Sequence, residues 1–368
     1  MKILLTGGYG FLGWHTRARL HALGAHEAFA VGRNQWDELP RLAVGVDAVL
    51  HLAGINRGND REVEQGNVEL ARDVVGAVRA AGATPRIVFA NSVQSGNDSP
   101  YGAGKEQASS VLADLADEVG SGYVDVRLPN LFGEHGRPRY NSFVATFVES
   151  VLRGETPRVN DREVDLLHAQ GAAQSLMQAL TTDLPRLDPR GTPTTVEGVY
   201  GTLRRFNELY TAGDIPPLLT TLDVNLFNTL RGGRFPERNP IGLSPRTDDR
   251  GSLVEVVRAH GGQGQTFVST TRPGITRGQH FHLHKVERFV VLSGNARISL
   301  RRLFTDDVVS FDVTGDVPQA VDMPTLWVHN ITNTGDTELV TLFWTHELFN
   351  PAAPDTYPEP VAPVEGGS

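Results

Sequence analysis

A glycine-rich turn near the start of the chain restricts the possible folds more than any other feature. The run TGGYGFLG (residues 6–13) follows a short apolar segment (2–5) and opens a stretch of helical periodicity (11–23). Gly7, Gly10 and Gly13 have the spacing that permits a tight turn, a close approach to a pyrophosphate and packing of helix on strand. A glycine triplet alone could be an ordinary turn, but its position between a strand and a helix predicts a dinucleotide site.

The segments after this turn alternate between buried-strand and helical patterns. The strand candidates are residues 28–31, 47–51, 86–90 and 123–128, and the helical stretches centre on 68–80 and 106–119. This alternation predicts an α/β Rossmann domain with a doubly wound parallel sheet. Residues 143–210 look mostly helical and lack sheet motifs, as expected for a substrate cap.

The second half of the chain has a different pattern. After Asp248, short β-rich runs are separated by Gly, Asp and Asn turns and lie at 253–257, 265–270, 288–292, 296–300 and 339–344. They predict an all-β barrel or sandwich. A segment rich in Gly, Pro and Arg (231–245) marks the boundary. We therefore expect domains at 1–240 and 241–350, followed by an extended or disordered tail at 351–368.

Bulk composition excludes several classes of protein. At 368 residues the chain is longer than one hydrophobic core usually organises. Its 34 basic and 43 acidic residues give a formal charge of -9, which argues against nucleic-acid binding. There is no cysteine, so any metal must be held by His, Asp or Glu. No segment approaches the roughly 20 apolar residues of a spanning helix. We expect a cytoplasmic protein with no membrane segment.

The residue that follows the second predicted strand bears on the choice of cofactor. NAD-preferring sites usually carry an acidic residue there, whereas this chain has Arg33, which could pair with a 2′-phosphate and so favours NADP(H). Arg33 on a solvated loop is the alternative. Phe11 opens the helix, and His51 and Ala53 lie in an HLAG run that could pass close to the adenylate half of the cofactor. A structural turn explains that run nearly as well.

Three further residues suggest ketone reduction. Tyr101 and Lys105 are four residues apart and would share one helix face. Hydride delivery to a ketone requires a proton donor, and a nearby ammonium would lower the pKa of the tyrosine. Ser92 lies just beyond a buried strand, at the edge where α/β sheets bind ligands. Lys105 could also hold the nicotinamide ribose.

These residues resemble the extended short-chain dehydrogenase/reductase family over residues 1–240. The separation of Ser92 from Tyr101 is shorter than in most members, which leaves Ser95 as a rival. The segment RLPNLFG (127–133) looks like the family's entry into the substrate pocket. The resemblance implies that Asn130 and Arg127 contact the sugar or its diphosphate.

A second set of residues suits a metal. His280, His282, Glu287 and Gly294 have the spacing of the first cupin motif, and the segment 322–333 resembles the second motif and contributes His329. Leu326 stands where that motif usually has glycine. Residues two apart share one strand face, so His280 and His282 can converge, with His284 as a rival ligand. We expect a divalent metal, with zinc favoured because no open-shell chemistry is required. A metal-free histidine cluster is the alternative.

The combination of these two halves, with the runs PYGAGK, RLPNLFGEHGRPRYNSF and ITRGQHFH, resembles the bacterial bifunctional capsular-polysaccharide enzymes of the CapF family. The resemblance covers almost the whole chain. It implies that the cupin domain epimerises C3 of a UDP-4-keto-6-deoxy-N-acetylhexosamine and that the reductase domain reduces the C4 ketone with NADPH. The product leads toward UDP-N-acetyl-L-fucosamine for surface polysaccharide. We also expect a homodimer.

The implied chemistry is coherent because a C4 ketone acidifies the C3 proton, which allows its removal and return through an enolate. For the base the sequence offers Lys285, beside the predicted ligands, and His346, and spacing does not choose between them. Lys285 is preferred, although a surface lysine at the barrel mouth is an alternative. The metal could be a Lewis acid or could hold the barrel together.

Two other functions remain open. One is a dTDP-4-keto-6-deoxyhexose reductase of the dTDP-4-dehydrorhamnose reductase type, whose cupin is not catalytic. The other is a sensor without enzymatic activity. Tyr101 and Lys105 argue against the sensor, because it would need neither a proton donor nor a lysine.

Overall fold

The computed structural model describes residues 1–362, which form two compact units. Unit 1 consists of Met1–Phe132, Arg139–Ser142 and Arg162–Thr195. Unit 2 consists of Gly133–Pro138, Phe143–Asp161 and the chain from Val196 onward. The chain therefore passes between the two compact units at several points, and residues 196–240 belong to the same unit as the β-rich half. The functional boundary at residue 240 stays a prediction.

The first helix and the first five strands follow the sequence pattern, whereas the third and fourth helices begin at Asp60 and Pro100, before the predicted stretches. The helices are α1 (Phe11–Leu23), α2 (Leu39–Leu42), α3 (Asp60–Ala81), α4 (Pro100–Val119), α5 (Phe143–Arg153), α6 (Ala169–Ala179), α7 (Val196–Thr211) and α8 (Thr221–Arg234). The strands of unit 1 are β1 (Lys2–Thr6), β2 (Glu27–Val31), β3 (Ala48–His51), β4 (Arg86–Ser92), β5 (Tyr123–Leu128), β6 (Asn130–Phe132), β7 (Glu163–His168), β8 (Arg186–Leu187) and β9 (Thr192–Thr195). The last three strands correct the expectation that 143–210 lacks sheet structure. Strands β8 and β9 are short and mostly exposed, so their apolar periodicity is weak, whereas β7 alternates between exposed and buried residues and was overlooked.

Unit 1 is built on a six-stranded parallel sheet with the order β2-β1-β3-β4-β5-β8, which confirms the predicted Rossmann-like fold. A second sheet contains β6-β7-β9. One buried cluster on the six-stranded sheet includes residues of α3 and α4, and a second includes residues of α1 and α6. The strand order reverses between β1 and β3, and in open sheets the crevice at such a point binds the ligand. The glycine-rich turn leaves β1 at this point.

Unit 2 contains the β-rich half, whose all-β character is confirmed. Its strands are β10 (Ile241–Gly242), β11 (Arg246–Asp248), β12 (Gly251–Leu253), β13 (Gln265–Thr271), β14 (Thr276–Phe281), β15 (Glu287–Ser293), β16 (Asn295–Arg302), β17 (Val308–Thr314), β18 (Gln319–Met323), β19 (Trp327–Asn333), β20 (Leu339–Thr345) and β21 (Tyr357–Pro358). They form two five-stranded antiparallel sheets, β10-β18-β15-β20-β13 and β17-β16-β19-β14-β21, and the pair β11-β12. The strand predicted at 253–257 is wrong: β12 ends at Leu253 and its residues are exposed.

Helices α5, α7 and α8 pack within unit 2 through edge-to-face aromatic contacts such as Phe206 with Phe227. A fully buried ion pair holds the β-rich part to the end of α7. Arg288 Nε and Nη2 donate to the Asp322 carboxylate at 2.7 and 2.9 Å, and Nη1 donates to the Gly213 carbonyl at 2.7 Å. This pairing explains why the helices before residue 240 belong to unit 2.

The C-terminal segment is extended but packed, because Asp355 and Val361 are only 4% and 3% exposed and β21 pairs with β14. As far as residue 362, the predicted tail is therefore extended and packed against β14 rather than disordered. The remainder of the predicted tail lies outside the described residues. Within residues 1–362, no helix has the length and apolar character needed to cross a bilayer.

Candidate active sites

The glycine-rich turn has the close contacts that its sequence predicts. Gly7 has a φ of 69°, and a Cβ there would lie 2.6 Å from the Ala53 backbone nitrogen. A Cβ on Gly13 would lie 2.1 Å from the Gly7 carbonyl oxygen. Gly10 caps α1 without any side-chain hydrogen bond, so the first N–H groups of that helix are available to an anion. The turn therefore fits a phosphate-binding role.

The ends of β1 and β3 are joined by a buried hydrogen bond. Thr6 Oγ1 lies 2.8 Å from His51 Nδ1, and the Ala53 N–H reaches the same hydroxyl at 3.4 Å. Burial, and then the charge of Lys105, lower the pKa of His51 to about 3, so this imidazole is neutral. His51 therefore holds the strand ends that border the crevice. Arg33 lies at the exposed end of β2, and Phe11 begins α1.

Tyr101 and Lys105 lie one turn apart in the first half of α4. Ser99 caps this helix by accepting the N–H of Gly102 at 3.0 Å. The glycines between the two residues have a steric reason, because a Cβ on Gly104 would lie 2.6 Å from the Glu64 carbonyl oxygen in α3. Close packing on α3 therefore fixes the face that carries Tyr101 and Lys105.

The electrostatics of these two side chains differ from expectation. Burial raises the pKa of Tyr101, and a hydrogen bond with Ser92 only partly offsets it, so the expected lowering by the ammonium is wrong for the protein without ligand. Burial lowers the pKa of Lys105 to about 7, although Asp125 acts in the opposite direction. Lys105 Nζ donates to the Ala90 carbonyl at 2.8 Å and lies 4.2 Å from the Phe89 ring centre. Burial and Ser92 thus set the pKa of Tyr101, whereas the charge of Lys105 acts on His51.

The two candidate serines have different partners. Ser92 ends β4 and bonds with Tyr101, whereas Ser95 Oγ accepts from Asn91 Nδ2 at 3.2 Å. Asn91 also donates to Asp125 at 2.8 Å. The geometry thus favours Ser92.

The proposed substrate contacts lie further along the chain. Arg127 Nε is paired with the Asp125 carboxylate at 2.9 Å and is 28% exposed, so part of its guanidinium is committed within the protein. Asn130 begins β6 and is half-buried. One positioning residue was missed: the Asn67 side chain bonds both the N–H and the carbonyl of Ile55 and so holds the loop after β3. An asparagine among the apolar residues at the start of a predicted helix was the sequence feature that could have indicated this positioning role.

The four predicted metal ligands converge in unit 2. His280, His282, Glu287 and His329 each place one ligand atom within 4.8 Å of the others. Glu287 Oε2 lies 3.1 Å from His282 Nε2 and 3.3 Å from His329 Nε2. The histidines come from or follow β14 and β19 in one sheet, whereas Glu287 begins β15 in the other.

The donor set suits a divalent cation. His282 Nδ1 and His329 Nδ1 each face a backbone carbonyl, at 2.5 and 3.2 Å, which directs each Nε2 toward Glu287. Burial and the neighbouring histidines lower the pKa of His280 to about 3. Burial raises the pKa of Glu287, but the histidines outweigh it and hold that pKa well below its ordinary value. Neutral imidazoles around a carboxylate are the forms that bind metal.

Two departures from the expected pattern have structural explanations. Leu326, at the usual glycine position, has a φ of 66° and is fully buried, so its side-chain packing opposes the conformational cost. His284 does not join the four ligands but bonds with Asp355 and Glu347. Burial lowers the pKa of His284, but these carboxylates outweigh it and raise the pKa to about 9.

A cavity of about 250 Å³ opens beside the ligands and is lined by His280, His282 and Glu287. Lys285 also lines it, is 7% exposed and donates from Nζ to the Pro354 carbonyl at 2.6 Å. His346 is absent from the lining, and its Nδ1 accepts the Val286 N–H at 3.0 Å. Of the two base candidates, the geometry therefore favours Lys285.

Two family matches divide the chain along its two halves. Residues 3–186 match the NAD dependent epimerase/dehydratase family. Residues 246–357 match the Polysaccharide biosynthesis C-terminal domain, which thus reaches into the packed C-terminal segment. The first match spans half of the chain and places unit 1 in a class of nucleotide-cofactor enzymes.

Full-length similarity narrows this class. A UDP-2-acetamido-2,6-beta-L-arabino-hexul-4-ose reductase of Pseudomonas aeruginosa is 31% identical over 97% of this chain and 98% of its own length. The crystal structure of the capsular polysaccharide assembling protein CapF from Staphylococcus aureus is 31% identical, with a TM-score of 0.62 over 98% of this chain and 100% of that one. A Thermotoga maritima UDP-glucose 4-epimerase, 19% identical with a TM-score of 0.54 over 64% of this chain and 99% of its own, shares the fold. The chain belongs to the CapF-like family of nucleotide-sugar reductases.

Proposed function

We propose that the protein is a bifunctional nucleotide-sugar enzyme with two successive reactions. The β-rich domain, which we propose to be a cupin, epimerises C3 of a UDP-4-keto-6-deoxy-N-acetylhexosamine. The reductase domain then reduces the C4 ketone, toward UDP-N-acetyl-L-fucosamine. The observation that carries the reduction is the Ser92–Tyr101 hydrogen bond one helical turn from buried Lys105, at the carboxyl edge of the parallel sheet. The P. aeruginosa relative, named as a 4-ulose reductase, supports this choice.

In the reduction, the chain binds and polarises the ketone. Ser92 would hydrogen-bond the C4 oxygen while Tyr101 donates the proton that this oxygen needs as the carbonyl π bond breaks. When bound, NADPH would supply the hydride to C4 and leave as NADP⁺. The first turn of α1 would bind its pyrophosphate and Arg33 its 2′-phosphate. Lys105, with a pKa of about 7, could gain its full charge once a phosphate or ribose is near.

In the epimerisation, Lys285 would accept the C3 proton, and the electron pair of the C–H bond would move into the C4 carbonyl to give an enolate. A proton from solvent then adds to C3 on the opposite face while Lys285 releases the first proton to solvent, which completes the inversion with no net redox change. His280, His282, Glu287 and His329 would hold a divalent metal, with zinc proposed, which would supply positive charge near the sugar oxygens. One ketone thus serves both reactions.

Matched variants separate the two reactions. Tyr101→Phe should lose NADPH oxidation yet still exchange the C3 hydrogen with solvent deuterium when NADPH is absent. Lys285→Met should lose that exchange yet still reduce a substrate supplied with C3 already inverted. Lys2→Met, at an exposed lysine, is the control for both. If the wild type leaves the configuration at C3 unchanged and exchanges no C3 hydrogen, the epimerase is rejected and a reductase with one reaction is favoured.

The substrate and cofactor can be tested on the same protein. NADPH oxidation should be fastest with a UDP-4-keto-6-deoxy-N-acetylhexosamine, and preference for a dTDP-4-keto-6-deoxyhexose would support the alternative reductase. Arg33→Asp should shift preference from NADPH toward NADH; an unchanged ratio would reject the role of Arg33. We also propose that the protein is a cytoplasmic homodimer. Analytical ultracentrifugation of the purified chain would test its oligomeric state.

A further inference from the structure

The segment from Pro354 to Val361, here called the strap, lies along the strand that carries the first metal ligands. Its β21 pairs with β14, with Pro358 opposite His280 and Tyr357 opposite Phe281. The Gln279 carbonyl accepts the N–H of Glu359 at 2.9 Å. The strap is therefore an added strand beside the ligand-bearing strand rather than a free end.

One buried arginine anchors the far end of the strap. Arg301 is 5% exposed, and its Nε donates to the Val361 carbonyl at 2.8 Å. Its Nη2 donates to the Glu359 carboxylate at 2.9 Å and to the Pro360 carbonyl at 2.8 Å. Arg301 would lose three of its four hydrogen bonds and keep only the one to the Thr305 carbonyl if the strap detached, which makes detachment costly.

Asp355 connects the strap to the loop between β14 and β15. Its carboxylate accepts the N–H groups of three consecutive residues, Leu283, His284 and Lys285, at 3.0, 3.0 and 2.9 Å. It is 4% exposed and has a φ of 44°, in the left-handed region that few residues other than glycine adopt. Such a conformation persists where surrounding contacts impose it.

The strap backbone also touches the functional side chains. The Asp355 carbonyl faces His282 Nδ1 at 2.5 Å and so holds Nε2 toward Glu287. The Pro354 carbonyl and Thr356 hydroxyl accept from Lys285 Nζ at 2.6 and 3.4 Å. Three consecutive strap residues thus orient one proposed metal ligand and the proposed base.

We infer that Asp355 is a positioning residue for the cavity: its carboxylate fixes the loop 283–285 and thereby the orientation of His282 and Lys285. The inference rests on the proposed metal and base roles of these two residues. It assigns a function to a segment that lies C-terminal to every predicted ligand. Hydrogen-bond partners of metal ligands typically change metal affinity 10–100-fold when removed.

The test uses the full-length chain with Asp355→Asn, because asparagine tolerates the left-handed conformation but places an NH₂ group against backbone donors. We expect the Kd for Zn²⁺, measured by competition with a chromogenic chelator, to rise several-fold, and by up to about 10–100-fold if movement of the loop also breaks the contact between His282 and the Asp355 carbonyl. C3 deuterium exchange should fall at limiting Zn²⁺ and recover in part at saturating Zn²⁺. Reduction of a substrate already inverted at C3 should stay within about twofold of wild type, because a folded reductase half does not need the strap.

Two controls separate the strap from simpler explanations. Asp312→Asn removes an exposed ion pair with Arg297 in the same sheet and should leave the Kd for Zn²⁺ unchanged. Glu347→Gln removes a partner of His284 but no contact with His282, and should also leave it unchanged. Equal weakening by Glu347→Gln and Asp355→Asn would overturn the inference, because the effect would then pass through His284.

A wild-type Kd for Zn²⁺ in Asp355→Asn would also overturn the inference while leaving the proposed function intact. If the wild type binds no divalent metal and exchanges no C3 hydrogen, the proposed function itself fails, which is a different result. If Asp355→Asn loses both activities through misfolding, Asp355→Gly decides. Glycine keeps the backbone conformation and the carbonyl facing His282 but lacks the carboxylate, and it should show the same loss of affinity.

Discussion

Replacing Lys105 with methionine should abolish ketone reduction and at the same time stabilise the folded protein near neutral pH. Lys105 is 4% exposed, and burial lowers its pKa from 10.5 to about 7, with Asp125 acting in the opposite direction. Each unit of pKa difference between the folded and unfolded chain corresponds to about 1.4 kcal/mol. The charged amine therefore costs the folded state about 4 kcal/mol at pH 7. Such a cost is common where a site is built for function.

The direction of the pH dependence follows from proton counting. Below pH 7 the amine is charged in both states, so the cost is fully present. Between pH 7 and 10.5 the unfolded chain holds the proton that the folded chain releases, so wild-type stability rises with pH. The cost falls to about 1.5 kcal/mol at pH 9.5. Loss of the hydrogen bond to Ala90, worth about 1–2 kcal/mol, reduces the net gain in Lys105→Met but not its pH dependence.

Urea unfolding of the wild type, Lys105→Met and Lys2→Met at pH 7 and 9.5 measures this effect. The stability advantage of Lys105→Met should narrow by about 2–3 kcal/mol at the higher pH, whereas exposed Lys2 should show no such change. The chain has only the lysines Lys2, Lys105 and Lys285, so ¹³C resonances of labelled lysine can follow each amine directly. A Lys105 resonance that titrates above pH 9.5, or a stability difference that does not vary with pH, would refute the reasoning.

Other predictions concern the two sites and the core of unit 2. Gly13→Ala should abolish NADPH binding in a fluorescence titration, since its Cβ would lie 2.1 Å from a carbonyl oxygen. Ser92→Ala should lower kcat for reduction about 100-fold or more, whereas Ser95→Ala should stay close to wild type; the reverse order would reject the assignment. Asp322→Asn should destabilise the protein by about 3–5 kcal/mol in urea unfolding because the charge of Arg288 stays buried. Removal of bound metal by a chelator should lower the Tm. The free energy of unfolding should fall by about 2.7 kcal/mol if the free metal concentration had been 100-fold above its Kd.

Local patterns of the sequence predicted much of the fold. The unit of strand, glycine turn and helix at the N-terminus depends on residues close together in the chain, and its helix bounds, Phe11–Leu23, agree with the prediction. The same holds for β5, Tyr123–Leu128. Strands β8 and β9 escaped prediction because they are too short and exposed for a periodic signal, whereas β7 carries a period-two pattern that the prediction missed.

The sequence was a weaker guide to which distant side chains contact each other. Ser92 was predicted with Ser95 as a rival, and only the position of α4 relative to β4 separated them. The expected lowering of the Tyr101 pKa was wrong because proximity in sequence does not report burial, which outweighs other effects at this position. The packing of the predicted extended tail, as far as residue 362, was not foreseen, because a polar segment can be held by hydrogen bonds without a large apolar surface.

The sequence by itself determined which chemistry is present: a phosphate-binding turn, a tyrosine and lysine on one helix face, and histidines alternating along one strand. These features repeat at the periods of a helix or a strand, so they are readable within a few residues. Only the tertiary structure decided that Glu287 faces His329 from the opposite sheet and that Asp355 reaches back to His282. Such contacts join residues 42 and 73 positions apart, and the packing of whole sheets, rather than any local period, selects them.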